Sequence, residues 1–124
     1  MAMVEAGVIL AVRDPALAAS LELALLAGGL TPHLYDPAAG FQDLAALPLD
    51  AAGALILGPH TLNGNAPAFI EALGARPWDG LVILITGDGE KLRGALGPDP
   101  RVAVLEMPFG GADLIAVIRS AWPG

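Results

Sequence analysis

The residues able to do chemistry are few, and most of them stand just after short apolar runs. Arg13 and Asp14 follow Val12, His60 comes two positions after Gly58, Thr86 and Asp88 flank Gly87, and Glu106 precedes Met107-Pro108-Phe109. A nucleophilic site needs a hydroxyl or thiol within reach of a base. Ser20, Thr31, Thr61 and Ser120 stand at no recognisable spacing from either histidine, His33 or His60. Cysteine is absent, which excludes a disulfide framework, a thiolate metal site and a cysteine nucleophile. Two histidines also exclude a histidine-rich metal centre. No phosphate-cradling pattern of the G-x-x-x-x-G-K-[ST] or G-x-G-x-x-G type occurs. Gly58 and the run Asn63-Gly64-Asn65 therefore read as turn chemistry rather than as a backbone cradle for phosphate. Arg13 has two readings, an anion-binding cation or a surface partner of Asp14 or Asp88, and the second is the commoner arrangement. His60 reads as a solvated loop residue in preference to a pH sensor or phosphate acceptor, and His33 reads as structural or solvated.

The composition bounds the class of molecule. With 124 residues, 55% of them hydrophobic, one domain with a substantial core is expected over the whole chain. The 13 acids against 6 bases leave a net charge of −7, which disfavours nucleic-acid binding. Met1–Val4 carries no basic segment of a targeting peptide. The longest stretch without Asp, Glu, Lys or Arg, Ala51 to Ile70, is interrupted by His60, Asn63, Asn65, Pro59 and Pro67, so no membrane span is expected. A soluble cytoplasmic protein is the expectation.

Those candidate residues need elements to position them. Four runs, Val8–Val12, Ala54–Leu57, Leu81–Ile85 and Val102–Leu105, are apolar at consecutive positions, as in strands covered on both faces. A weaker fifth candidate, Thr31–Tyr35, contains Pro32, which suits an edge strand. Helical patterns separate the runs. The first, Pro15–Ala27, has Asp14 as N-cap, Pro15 at the first position, Gly28-Gly29 as stop, and a buried stripe of Leu17, Leu21 and Leu25. The others are Phe41–Leu47, Ala66–Leu73, Glu90–Leu96 and Gly111–Trp122, the last with Leu114, Val117, Ile118 and Ala121 on its apolar side. Strict β-α alternation predicts a doubly wound α/β fold with a parallel sheet and helices on both faces. In such sheets the site lies at the carboxyl ends of the strands, where the residues above sit.

There the chain resembles the receiver domain of bacterial response regulators, over roughly Gly7 to Ala121. Three segments carry the resemblance: Val8–Leu17, like the first strand and its turn; Leu84-Ile85-Thr86-Gly87, like the fourth strand with its hydroxyl residue and small follower; and Leu105-Glu106-Met107-Pro108-Phe109, like the turn after strand five. The resemblance implies a flavodoxin-like sheet of five strands in the order 2-1-3-4-5 and a cis Met107–Pro108 bond. It also implies where phosphorylation chemistry would sit. The two Mg²⁺-holding acids match Val12 and Arg13, the phosphate-accepting Asp matches Gly58, the lysine matches Met107, and the aromatic switch residue matches Val104. Of the set that binds and reads phosphate, only Thr86 is kept, and its hydroxyl also suits a local backbone contact. Gly58 has no side chain to phosphorylate, Val12 offers a metal ion no oxygen, and Arg13 repels one.

The expectation is therefore a degenerate form, a pseudo-receiver with neither metal nor cofactor and no catalysis, regulating signal transduction by contact with protein partners. The alternative is a small-molecule sensor, with a ligand in apolar room opened by Gly58 and Met107, near Arg13 and Thr86. A homodimer is also expected. Its candidate face is that of the fourth and fifth predicted helices with strand five, which the family uses for pairing. That face carries the mixed charges Lys91, Arg93, Asp99, Arg101, Asp113 and Arg119. A competing face lies on the first helix, where Ala18, Ala19 and Leu26 fall away from the leucine stripe and Glu22 is the only charge.

Overall fold

A computed structural model describes residues 7–35, 53–58, 66–75, 80–97 and 101–121. The predicted helix Phe41–Leu47, together with His60, Thr61, Asn63–Asn65, Asp99 and Trp122, lies outside them. The described elements are β1 (Gly7–Ala11), α1 (Pro15–Ala27), β2 (Thr31–Leu34), β3 (Ala54–Leu57), α2 (Ala66–Gly74), β4 (Leu81–Thr86), α3 (Gly89–Leu96), β5 (Val102–Glu106) and α4 (Gly111–Ala121). All five strands are parallel, in the order β2-β1-β3-β4-β5. This is the doubly wound parallel sheet expected from the alternation, in the flavodoxin-like order that the resemblance implied.

The consecutive apolar positions now have a physical reason. Side chains alternate across a strand, so a strand buried on both faces needs apolar residues throughout. Val8 and Leu10 of β1, Ile56 of β3 and Ile83 of β4 enter one core with Leu21 and Leu25 of α1 and Leu114 and Ile118 of α4. Ile9, Leu55, Leu57, Val82 and Leu84 enter the other, with Phe69 and Leu73 of α2. β2 is different: three of its four residues are exposed, as an edge strand with a proline should be.

α1 begins and ends as its flanking residues predict. The Asp14 carboxylate accepts the N–H groups of Ala16 at 2.9 Å and Leu17 at 3.4 Å, and Pro15 occupies the first turn. At the other end Gly29 takes φ +83°, a conformation that costs glycine little. Gly29 N–H then donates to Leu26 O at 3.1 Å and Leu30 N–H to Leu25 O at 2.9 Å, while Leu30 packs on the core beside them. One expectation for α1 needs correction: Ala18 does not turn away from the core but packs half-buried against it. Ala18 stands three residues before Leu21 and seven before Leu25, about one and two turns, so it flanks that stripe closely enough to share its face. Ala19 and Leu26 are exposed, as expected.

Candidate functional site

The carboxyl edge of the sheet is held together past the strand ends. Gly58 N–H donates to Ala11 O at 3.1 Å, Tyr35 N–H to Leu10 O at 2.9 Å, and Met107 N–H to Thr86 O at 2.8 Å. These bonds bring Val12 and Gly58 to the neighbouring ends of β1 and β3, and Thr86 and Met107 to the neighbouring ends of β4 and β5. β3 and β4 are themselves adjacent, so four of the five predicted site positions share one rim, with Arg13 next to Val12. The Met107–Pro108 peptide bond that closes the rim is cis, as the resemblance implied.

The side chains on this rim are engaged in holding the fold. Val12 is buried within the core shared by α1 and α4. Gly58 is buried and carries no functional group. Met107 packs half-buried against the same core as Val12, so the side chain expected to leave open room occupies apolar space. Arg13 is exposed. Thr86 Oγ1 accepts the Asp88 N–H at 3.1 Å, which is the local backbone contact anticipated for it.

The carboxylates have helical work. Asp14 caps α1, and Asp88 Oδ1 accepts the Lys91 N–H at 3.1 Å to cap α3. Glu106 Oε1, from the end of β5, reaches the Gly89 N–H at 3.1 Å. Three carboxylates at the rim thus accept backbone N–H groups at the starts of helices, where the helix dipole favours negative charge. Among the described residues no group of three or more His, Cys, Asp or Glu is placed to hold a metal ion. No described buried side-chain nitrogen or oxygen lacks a hydrogen-bond partner. The rim therefore offers no carboxylate at Gly58 to act as nucleophile and no cation at Met107, and the Thr86 hydroxyl is already in use.

Two contacts here were not anticipated. The Glu106–Gly89 bond links residues 17 apart in sequence, and Arg93 Nη2 donates to Val104 O at 3.3 Å. Both tie α3 to β5. The second crosses the backbone of Val104, the position matched to an aromatic switch residue. Neither follows from local spacing, because each depends on how α3 settles over the sheet edge. Gly89 leaves room for the first bond, since a Cβ there would stand 2.6 Å from Glu106 Oε1.

The described members of the charged set assigned to an interface are spread over α3, α4 and the start of β5. Lys91 and Arg93 lie exposed on α3. Asp113 is exposed at the start of α4 and accepts the Gly110 N–H at 2.9 Å. Arg101 sits half-buried at the opposite end of β5, in a small recess with Ile70 and Leu73 of α2. Arg119 lines a groove between α4 and α1, together with Ala112, Ile115 and Ala116. Six positions separate Asp113 from Arg119, which at 3.6 residues per turn puts them on different flanks of the helix. Asp99 lies outside the described residues.

No helix among the described residues is long and apolar enough to cross a membrane. The sequence matches no protein-family model, and no curated protein matches it. Solved structures do resemble the chain. A sensor protein from Polaromonas sp. JS666 superposes with a TM-score of 0.71 at 21% identity, over 93% of this chain and 94% of that one. A response regulator receiver protein from Sinorhizobium medicae WSM419 does so with a TM-score of 0.70 at 18% identity, over 94% and 93%. Another from Burkholderia phymatum gives 0.66 at 19% identity, over 94% of each chain. At these identities the likeness is one of fold.

Proposed function

We propose that this chain is a receiver-like regulatory module that has lost phosphorylation and acts by protein contact, without catalysis, metal or cofactor. The observation that carries the reading is the buried Gly58 at the end of β3. A receiver's phosphate acceptor has to be a carboxylate there, and glycine has none to offer. The neighbouring positions support it. Val12 contributes to the core instead of binding a metal ion, and Met107 packs as a hydrophobe where a lysine would neutralise a phosphoryl group. The fold shared with receiver proteins supports a role in signal transduction. A net charge of −7 favours protein partners over nucleic acid, and the reading places the action of the chain in the cytoplasm. A ligand-sensing role has less support, since Val12 and Met107 take up apolar room that a ligand would need.

Incubation with acetyl phosphate, or with a beryllofluoride mimic, in the presence of Mg²⁺ is the test. The intact mass and the amide spectrum are expected to stay unchanged. A stoichiometric gain of one phosphoryl group overturns the reading.

A further inference from the structure

α1 and α4 lie side by side on one face of the sheet, and their outward surface carries both projections and a recess. Leu23 is 69% exposed and Leu26 is 55% exposed, one turn apart on α1. Beside them runs an open groove of about 570 Å³. Its walls are Ala24, Ala27 and Gly28 on one side and Ala112, Ile115 and Ala116 on the other. Leu23 and Ala27 are four residues apart, so Leu23 adjoins the recess directly, and Leu26, one turn from Leu23, extends the apolar surface away from it. Exposed leucines in this number at one place are not needed by a solvated helix, and contiguous apolar surface of this kind marks a contact.

We propose that this face binds a second copy of the same chain. It rests on the reading above only in that the chain works through protein contact. Three features select the occupant. A two-fold interface uses one patch twice, so that patch must hold both the projection and its receptor, as Leu23 beside an alanine-walled groove does. Charge is the second feature. Two copies each carrying −7 repel, and approach is least opposed where carboxylates are missing. No carboxylate lines the groove. Area is the third. Two helices of ~10 Å diameter, side by side over the ~20 Å length of α1, present a footprint of ~400 Å². The relief of leucines and groove raises this toward the ~600 Å² per copy at which specific interfaces begin. The pairing surface is then the α1–α4 face, and not the α3–β5–α4 face on which the charges were expected to gather.

Sedimentation equilibrium over micromolar to millimolar concentration tests the proposal. The wild type is expected to be a dimer in exchange with monomer. Leu23→Glu and Leu26→Glu are each expected to weaken association by ~10-fold or more. Both side chains already stand largely in water, so the monomer fold survives, which far-ultraviolet dichroism checks. Ala116→Trp fills the groove and is expected to weaken the dimer by shape alone, while Lys91→Glu and Arg101→Glu leave it unchanged. A wild type that is monomeric throughout overturns the proposal, as does a dimer indifferent to all three α1–α4 substitutions. A monomer that uses the leucines to bind a different protein overturns it too, and in that case contact-mediated regulation stands while self-pairing falls. A chain that takes up phosphate yet dimerises through the leucines does the reverse.

Discussion

Where α1 meets α4, the helices are brought together by the smallness of the residues between them. A Cβ placed on Gly111 would stand 3.1 Å from Ala24 Cβ, and one on Gly28 would stand 2.6 Å from Ile115 Cδ1. Beneath this contact Leu25 and Leu114 are wholly buried. Where α3 meets β5, the ties are polar and individually identifiable: Glu106 to the Gly89 N–H and Arg93 to Val104 O, with Thr86 accepting the Asp88 N–H and Asp88 capping α3 beside them. The first side is stabilised by close fit over many atoms, the second by a few bonds near water. Burial gains accumulate with area, whereas a hydrogen bond near the surface nets little because water competes for both partners. Changes of shape should therefore be felt on the α1–α4 side, and changes of polarity on the α3–β5 side should be mild.

The largest effect is expected from Leu114→Ala, which opens a cavity under α4 and should lower unfolding stability by about 2–5 kcal/mol in a urea titration. Next comes Gly28→Val. The backbone of Gly28 has φ −86°, acceptable to any residue, so its cost reports crowding against Ile115. That cost should be about 1–3 kcal/mol by the same titration. Smallest is Thr86→Val, which keeps the volume and removes the oxygen that accepts the Asp88 N–H. The exposed N–H can turn to water, so the loss should be about 0.5–1 kcal/mol. If Thr86→Val costs as much as Leu114→Ala, the contrast between the two sides is broken. If Gly28→Val is neutral, Ile115 has yielded and the α1–α4 fit is looser than its distances imply.

Much of this was legible in the sequence because it is local. Unbroken apolar runs disclosed strands buried on both faces, and Pro32 marked the edge strand. Asp14-Pro15 and Gly28-Gly29 bracketed α1 to the residue, since caps act within a turn of the helix end. The rim was also readable: four of its positions sit at strand ends, and strand order places them together. What escaped depends on how one element is rotated against another. Arg119 was grouped with Asp113 on the mixed-charge face that the resemblance assigns to pairing, yet the packing of α4 against α1 makes Arg119 part of the groove. Glu106 gave no hint of reaching α3, because its partner is brought near only by the pairing of β4 with β5. Leu26 was noticed as exposed, but Leu23 and the groove beside it were not, since a recess belongs to two helices and to neither one's pattern.

The sheet order has a consequence for how the chain is made. β1 lies between β2 and β3, and its Val8 pairs with Ala54, more than a third of the chain further on. During synthesis β1 emerges first and its neighbour β2 soon after, but the other edge of β1 has no strand to meet until β3 has left the ribosome. Closing so long a loop costs entropy before any contact repays it, which slows folding of parallel sheets in general. Meanwhile Gly7–Ala11, buried throughout in the finished protein, is a strand with one open side and an apolar surface. The nascent chain is therefore most exposed to misassociation over the interval between β1 and β3, and a pause in translation there should do more harm to yield than one placed after β4.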